Sequence, residues 1–598
     1  MAAVMRFLSP EVEAGVTVRA SGGRRGSGPP GADGPVRPTR GTDLVIVLAL
    51  IGLLATVAWL GRGMWAPFTP EGPPSLDLSP WRLPYYAGRS LLRMFLALGG
   101  AMAFTFVVGA WAAKSTRAAR LILPALDILQ SVPVLGFLSA TVTLFLALTP
   151  GRLLGAELAS IFAIFTGQVW NLTFAFYHAL ITLPREQAEA LRVYRLSAWQ
   201  RFTHFEVPAA VIPLVWNAMM SFGGGWFFLA ASEAITVLHK DILLPGLGSY
   251  LAVAVKAKDF SALAWALVAM ALVILAVDRG LWRPLVAWSE KFKLEESQAA
   301  VVQRSRVLDV LRRSQVVPWL GAHLARADES MDRGWRRWMR PPAGPGSPAA
   351  ERRLDRVMTV AMWSALGLLA LRGAMFIARD IQWTEALRAA GLGSLTLLRV
   401  VAVLALSALV WTPMGVWIGS NPRVARTAQP IVQLLASFPA NFLFPLVAIL
   451  FLRFRLSIEW GGGFLMMLGA QWYVLFNTIA GAMAIPNDLR EMARDQGLRG
   501  WSLWRTLILP GIFPAWVTGA LTAAGGAWNA SIVAEVVSWG DARLTATGIG
   551  AYVTGATAAG DWPRIVLGVS IMSLYVVAIN RAVWRPLERL AVTRYRLG

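Results

Sequence analysis

The sequence predicts an all-α integral membrane protein, with about twelve transmembrane helices arranged as two parallel six-helix repeats. Composition, the spacing of apolar runs and an internal duplication carry that expectation. Of 598 residues, 56% are hydrophobic and 15% are charged, with a mean hydropathy of +0.54. That is far more apolar surface than a soluble core needs. Basic residues outnumber acidic ones by 56 to 34, for a formal net charge of +22. They sit between the hydrophobic runs, where Lys and Arg hold loops on the cytoplasmic side. No basic domain stands apart from the spans, which argues against nucleic acid as a partner. There is no cysteine, and the four histidines, His178, His204, His239 and His323, are scattered. Disulfides, thiolate metal sites and zinc chemistry are therefore not expected. No paired acids or metal ligands repeat at helix spacing within the spans, so no enzyme activity or cofactor is expected either.

Residues 1–41 are rich in Gly, Pro, Ser and Arg without apolar periodicity and read as a flexible cytoplasmic tail. No cleavable signal peptide is visible, because the first long apolar run begins near Asp43. Arg37 and Arg40 precede that run and favour an N-terminus on the inside. Further spans are predicted at 89–113, 121–148, 155–182, 210–237 and 260–281, completing a first half at 42–283. A basic cytoplasmic linker at 284–352 carries an amphipathic run and then a Pro/Gly stretch at 341–348. It either lies on the inner membrane surface or is a solvated connector whose charges fix topology. Spans at 354–377, 394–418, 428–452, 460–484, 512–537 and 562–583 form a second half at 353–590, and 591–598 is a cytoplasmic tail.

The halves match residue by residue. At a separation of 302 positions, Gly167 pairs with Gly469, Trp170 with Trp472, Trp199 with Trp501, Trp226 with Trp528, Glu233 with Glu535 and Asp259 with Asp561. At 306, Arg93 pairs with Arg399, Gly109 with Gly415, Trp111 with Trp417, Pro124 with Pro430 and Pro133 with Pro439. Tryptophan makes up only 27 residues, so four aligned pairs are hard to reach by coincidence. An even number of spans per half makes the repeats parallel, related by an axis along the membrane normal, with a solute path between them.

One polar loop also occurs twice. Glu491–Pro510 reads EMARDQGLRGWSLWRTLILP, and Glu189–Pro208 reads EALRVYRLSAWQRFTHFEVP. This loop resembles the EAA loop of the membrane subunits of bacterial ABC importers, E-A-A, three residues, G, nine residues, I-x-L-P. Glu491, Ala493, Gly497, Leu509 and Pro510 fall on that spacing, with Met492 and Leu507 as replacements. The first copy keeps Glu189, Ala190 and Pro208, but Leu191 replaces an alanine and Arg195 stands where the glycine belongs. A second stretch, from Trp226 through Ala231 and Glu233 to Gly246-Leu247-Gly248, resembles permeases of the nitrate, sulfonate, taurine and bicarbonate branch. Trp528, Glu535, Gly548 and Gly550 repeat it.

The resemblance implies halves of the MetI-like permease type in a bacterial inner membrane, both termini cytoplasmic, moving a small solute, an inorganic or organic anion. It also implies two cytoplasmic ABC ATPase subunits seated on the loops, and a periplasmic or lipid-anchored binding protein. Glu189, Ala190, Arg192 and Pro208 in one loop, and Glu491, Ala493, Arg494, Gly497, Leu509 and Pro510 in the other, are the expected coupling residues. The chain has no G-x-x-x-x-G-K-[ST] phosphate loop, in keeping with a separate ATPase. The glycine is expected to turn the chain between two helices and the proline to end the second helix before the next span. A secondary transporter or channel not coupled to ATP is the alternative class. Glu233 and Glu535, near the outer ends of the fifth spans, are either gate or docking residues or structural acids hydrogen-bonded to nearby backbone or Trp N–H groups. Membrane lipid is the remaining expected partner.

Overall fold

The computed structural model describes residues 40–68, 76–183, 196–237, 240–292, 306–338 and 348–595. Among these, nine helices are long and apolar enough to cross a membrane, or eleven if each of two bent pairs is one span. In the first half the main elements are α1 (Arg40–Arg62), α2 (Leu83–Phe104), α3 (Thr116–Ser131), α4 (Leu138–Leu148), α5 (Leu154–Ile181) and α6 (Val207–Glu233). A hairpin of β1 (Ala234–Val237) and β2 (Lys240–Leu243) follows, then α7 (Leu247–Ala257) and α8 (Phe260–Val277). The linker contributes α9 (Val316–Trp338).

The second half repeats the order as α10 (Pro348–Asp380), α11 (Trp383–Ser420), α12 (Pro422–Ser437), α13 (Ala440–Phe454), α14 (Ile458–Ala484), α15 (Asn487–Asp495) and α16 (Leu509–Ala534). It closes with β3 (Val536–Trp539), β4 (Ala542–Thr545), α17 (Ile549–Ala559) and α18 (Trp562–Ile579). The hairpins, α7 with α17, and α8 with α18 begin and end 302 positions apart, so the duplication read from residue pairs is also one of element boundaries. α10 occupies the place of the predicted seventh span, and its Val360, Trp363, Leu368, Leu369 and Met375 face outward. α1 likewise exposes Leu48, Ile51 and Leu54. Exposed apolar rows of this kind suit lipid rather than water.

Three sequence expectations need correcting. The runs 121–148 and 428–452, expected as single spans, are each broken, by 82° between α3 and α4 and by 76° between α12 and α13. The cause is Pro133 in one and Pro439 in the other. Proline lacks an N–H and forces the residue before it out of the helical region, and Val132 and Phe438 are extended, with ψ 120° and 123°. The segments before the breaks are amphipathic, with Arg117, Arg120 and Asp127 on one and Arg423, Arg426 and Gln433 on the other, so they suit an interface better than a bilayer core.

The fifth spans end at Glu233 and Ala534, where antiparallel hairpins pair Ala234 with Leu243 and Val536 with Thr545. These two short hairpins are added to a fold that is otherwise helical, as expected. Ile235-Thr236-Val237 and Val536-Val537 are β-branched runs that suit a pleated surface better than a helix.

Pro208 and Pro510 do not stop a helix. Each lies at the start of α6 or α16 directly after a five-residue π-turn, Phe202–Glu206 or Trp504–Ile508, and the helix runs on from Ala198 or Gly500. A π-turn already lacks regular i to i−4 bonding, so the missing proline N–H is accommodated there.

The connectivity gathers one end of the molecule around the polar loops, the start of α1 and the end of α18. The opposite end carries both hairpins with α7 and α17.

Candidate functional site

At the polar-loop end, α15 stops in a turn built around Gly497. Leu498 N–H donates to Ala493 O at 2.9 Å and Gly497 N–H to Arg494 O at 2.9 Å, with Gly497 at φ +68°. This is the Schellman arrangement, in which a left-handed residue after the helix lets the chain satisfy its last carbonyls. Ala493 is buried and fixes the helix to the body, whereas Glu491, Met492 and Arg494 face outward. Arg490 reaches back to Ala482 O, and burial together with the nearby Arg494 holds its pKa below the ordinary arginine value. Trp501, on the helix after the turn, is 71% exposed, and Leu509 is partly exposed. The result is a polar helix and a bare indole side by side.

In the first copy Glu189, Ala190, Arg192 and Arg195 lie outside the described residues. From Ser197 onward the loop is described, and it differs from its mate. Ser197 caps the short helix Ala198–Arg201 in a reciprocal capping box with Gln200. Ser197 Oγ also donates to Asp332 Oδ1 at 2.5 Å, and Trp199 Nε1 donates to Asp328 Oδ1 at 2.8 Å. Asp328 and Asp332, four residues apart on one face of α9, are buried against this loop. The linker is also tied to the start of α1, because Ser314 Oγ and Gln315 N–H both donate to Asp43 Oδ1 at 2.7 Å. α9 is therefore docked on the protein along this face.

At the hairpin end each half holds an ionic network, fully buried in the first half and partly exposed in the second. Arg93 donates to Glu157 from Nε at 2.5 Å and from Nη2 at 2.8 Å, and to Glu233 Oε1 from Nη1 at 2.6 Å. Arg89 also meets Glu157 and donates to Leu60 O. All four charged side chains are fully buried. Glu233 further accepts from Ser90 Oγ at 2.5 Å and Gly248 N–H at 2.6 Å. In the second half Arg399 bridges Glu535, at 2.9 Å, and Glu459. Thr396 Oγ1 donates to Glu535 at 2.7 Å and Ala551 N–H at 3.0 Å. Leu395 takes the place of Arg89, and the surplus carboxylate is met by exposure: the Glu459 side chain is 42% exposed and accepts from Thr547 N–H and Oγ1.

Gly246, Gly248, Gly548 and Gly550 press on these glutamates so closely that an added Cβ would overlap a carboxylate oxygen or neighbouring backbone. The Trp-Ala-Glu and Gly-Leu-Gly signature is thus the sequence trace of a carboxylate seated on a glycine turn. Sequence reasoning singled out Glu233 and Glu535, and assigned arginines mostly to loops. Arg89, Arg93, Arg399, Glu157 and Glu459 were missed as partners. The signal available was an ionisable residue within a span recurring in both halves.

The halves meet through equivalent contacts. The break after α3 seats on α16, with Val134 N–H donating to Asn529 Oδ1 at 3.0 Å. The break after α12 seats on α6, with Asn441 Nδ2 donating to Phe227 O at 3.0 Å. Asn529 is thereby a helix-to-helix tether, whereas Asn477 bonds within its own helix and Asn171 reaches Ser221 at 3.4 Å. Trp226 and Trp528 are buried packing residues. At the hairpin end Gly540 N–H donates to Val255 O, Lys258 pairs with Asp541 at 3.2 Å, and the Phe260 ring packs at a tilt on Trp539, 4.9 Å between centroids. At the polar-loop end the two seams differ. Arg585 crosses to Asp127 at 2.7 Å in one, whereas in the other Arg283 turns to Asp278 of its own half at 2.8 Å and Gln433 reaches Asp278 at 3.4 Å.

Comparison with known proteins agrees with this duplicated architecture. The family model for the binding-protein-dependent transport system inner membrane component matches twice, over residues 105–278 and 411–583. The nitrate import permease protein NrtB of Leptolyngbya laminosa is 27% identical over 188 residues, 31% of this chain and 64% of that one. The bicarbonate transport system permease protein CmpB of Synechococcus elongatus is 25% identical over 188 residues, 31% and 64% of the two chains. The aliphatic sulfonates transport permease protein SsuC of Escherichia coli is 37% identical over 114 residues, 19% and 41%. The chain spans less than two thirds of the length of each of these relatives. The two family domains cover more than half of the sequence and fall on the two structural repeats, so the chain belongs to the family of binding-protein-dependent transport inner membrane components, multi-pass permeases rather than enzymes, and carries that domain twice.

Proposed function

We propose that this chain is the whole permease of an ABC importer, with both halves of the translocation unit in one polypeptide. The observation that carries the reading is the α15 turn: a helix stopped at Gly497, with Glu491 and Arg494 outward and Trp501 bare beside it, in the second of two family domains. A short surface helix of this form fits a groove on a cytoplasmic ATPase and passes rigid-body motion through the Gly497 turn into the helix that runs from Gly500 into α16. The equivalent loop ending at Pro208 seats a second ATPase, and a binding protein delivers solute to the hairpin end. On this reading both termini and the linker are cytoplasmic, and the domain limits are those read from the sequence. Glu233 and Glu535 act as ties that hold α2, α6 and α7, or α11, α16 and α17, in register, which their full burial and complete pairing support.

The solute we infer is a small anion of the nitrate, bicarbonate or sulfonate class, on the strength of the relatives' names. The test is reconstitution of the chain with its ATPase and binding-protein subunits, followed by uptake of labelled nitrate, bicarbonate and taurine with and without ATP. ATP-dependent uptake of one of them supports the reading. Uptake that needs no ATPase makes the chain a secondary transporter or channel, and uptake confined to a cation or an amino acid other than taurine ends the anion assignment.

A further inference from the structure

The unequal seams enclose a site that the transport reading leaves unused. Between α3 of the first half and the end of α18 lies a cavity of about 190 Å³. Arg581, Arg585, Asn580 and Asp127 line its polar side, and Trp363, Ile128 and Val577 its apolar side. Arg585 is paired with Asp127, but Arg581 makes no hydrogen bond or ion pair among the described residues. The lining itself therefore holds two arginines against one carboxylate, with Glu588 close to Asp127 and Arg585 just outside it.

Its depth follows from helix geometry. α18 starts at Trp562, and its eighteen residues to Ile579 rise about 27 Å at 1.5 Å each, close to the roughly 30 Å of a bilayer hydrocarbon core. Asn580 and Arg581 thus stand where hydrocarbon gives way to headgroups. Trp363, half exposed on α10, borders the apolar side, and α10 packs against both α18 and α3. The matching place in the other seam is lined differently among the described residues. Its nearby cavity is only about 10 Å³, lined by Phe222, Trp226 and Trp282 among others, and Asp278 stands where Asn580 does here.

We propose that this cavity binds the phosphate of an anionic membrane phospholipid, in the leaflet on the polar-loop side. The Arg581 and Arg585 guanidiniums meet the phosphate oxygens as planar hydrogen-bond donors. The Asn580 amide supplies a neutral donor, and the glycerol and upper acyl carbons lie against Trp363, Ile128 and Val577. The same lipid bridges the two halves, because the lining comes from α3, α10 and the helical turns that continue α18 from Asn580 to Arg585.

The experiment is native mass spectrometry of the full chain released from vesicles of equal phosphatidylglycerol and phosphatidylcholine, comparing wild type with Arg581→Gln and with Arg279→Gln, the matching position of the other seam. Wild type and Arg279→Gln are expected to retain phosphatidylglycerol selectively. Arg581→Gln, which breaks no existing pair, is expected to lose that retention about fivefold, the worth of one basic residue at an anionic surface. Equal retention by wild type and Arg581→Gln overturns the site. Displacement of the lipid by millimolar inorganic phosphate assigns the cavity to a free anion and overturns the lipid.

Discussion

The indole of Trp199 donates to Asp328 across 129 residues of sequence, while its repeat mate Trp501 stands bare at the surface. Two residues that occupy the same place in the duplicated sequence therefore face different neighbours, because the linker has been laid over one of them.

That contact is open to a direct chemical test, since the chain has no cysteine of its own. With Ser197→Cys and Asp332→Cys in one chain, oxidation in native membranes should join the two positions. The same treatment of Trp501→Cys with Asp332→Cys should not. A single mutation, Asp328→Ala, removes one hydrogen bond worth about 1 kcal/mol, so it should loosen the linker to protease without unfolding the spans.

Gly497 should tolerate Asn far better than Val or Arg. An added Cβ meets nothing within 4 Å, so the cost is purely that of the φ +68° backbone, about 1–2 kcal/mol for most side chains and less for Asn. Transport and transport-coupled ATP hydrolysis, measured in reconstituted vesicles, should fall sharply for Gly497→Arg and stay near wild type for Gly497→Asn, with assembly checked by co-purification. Arg195→Gly in the other loop should be mild. Equal activity of the Arg and Asn variants would remove the turn from the mechanism.

Arg93→Ala leaves Glu157 and Glu233 buried with fewer partners, and breaking a buried pair of this kind costs about 3–5 kcal/mol. Arg399→Ala should cost less, because Glu459 is already partly in water. Thermal unfolding in detergent measures both. Gly548→Ala should resemble loss of the network, since its methyl would overlap the Glu535 carboxylate.

Single cysteines at Trp335 and Asp495 should react with a membrane-impermeant reagent from the same side, and one at Asp541, beside the tip of the second hairpin, from the opposite side. Labelling of all three from one side would break the topology derived from the connectivity.

The features legible in sequence were those written in local physics. Long apolar runs gave the spans, aligned Trp and Pro pairs gave the duplication, and the glycine after EMARDQ marked a left-handed turn that the backbone adopts. The ionic networks escaped because their members are far apart: Arg93 is 64 residues from Glu157 and 140 from Glu233, and no periodicity links them. The proline at 510 misled because a stop and a π-turn share the same residue, and only the bonding of the preceding turn separates them. The docking of α9 was hidden for a similar reason. Asp328 and Asp332 look like ordinary polar-face acids until Ser197 and Trp199 are brought against them.

The placement of one carboxylate also sets which halves can pair. Each seam combines a position on the amphipathic helix, Asp127 or Gln433, with a position and an arginine at the end of the last span, Asn580 and Arg585 or Asp278 and Arg283. Two copies of the first half would bring Asp127 against Asp278, two acids sharing one Arg283 at every seam. Two copies of the second half would set Arg585 against Gln433, with no carboxylate from the facing half. Only the mixed pair places one acid between the facing positions of each seam, so at these positions the halves have become complementary rather than interchangeable.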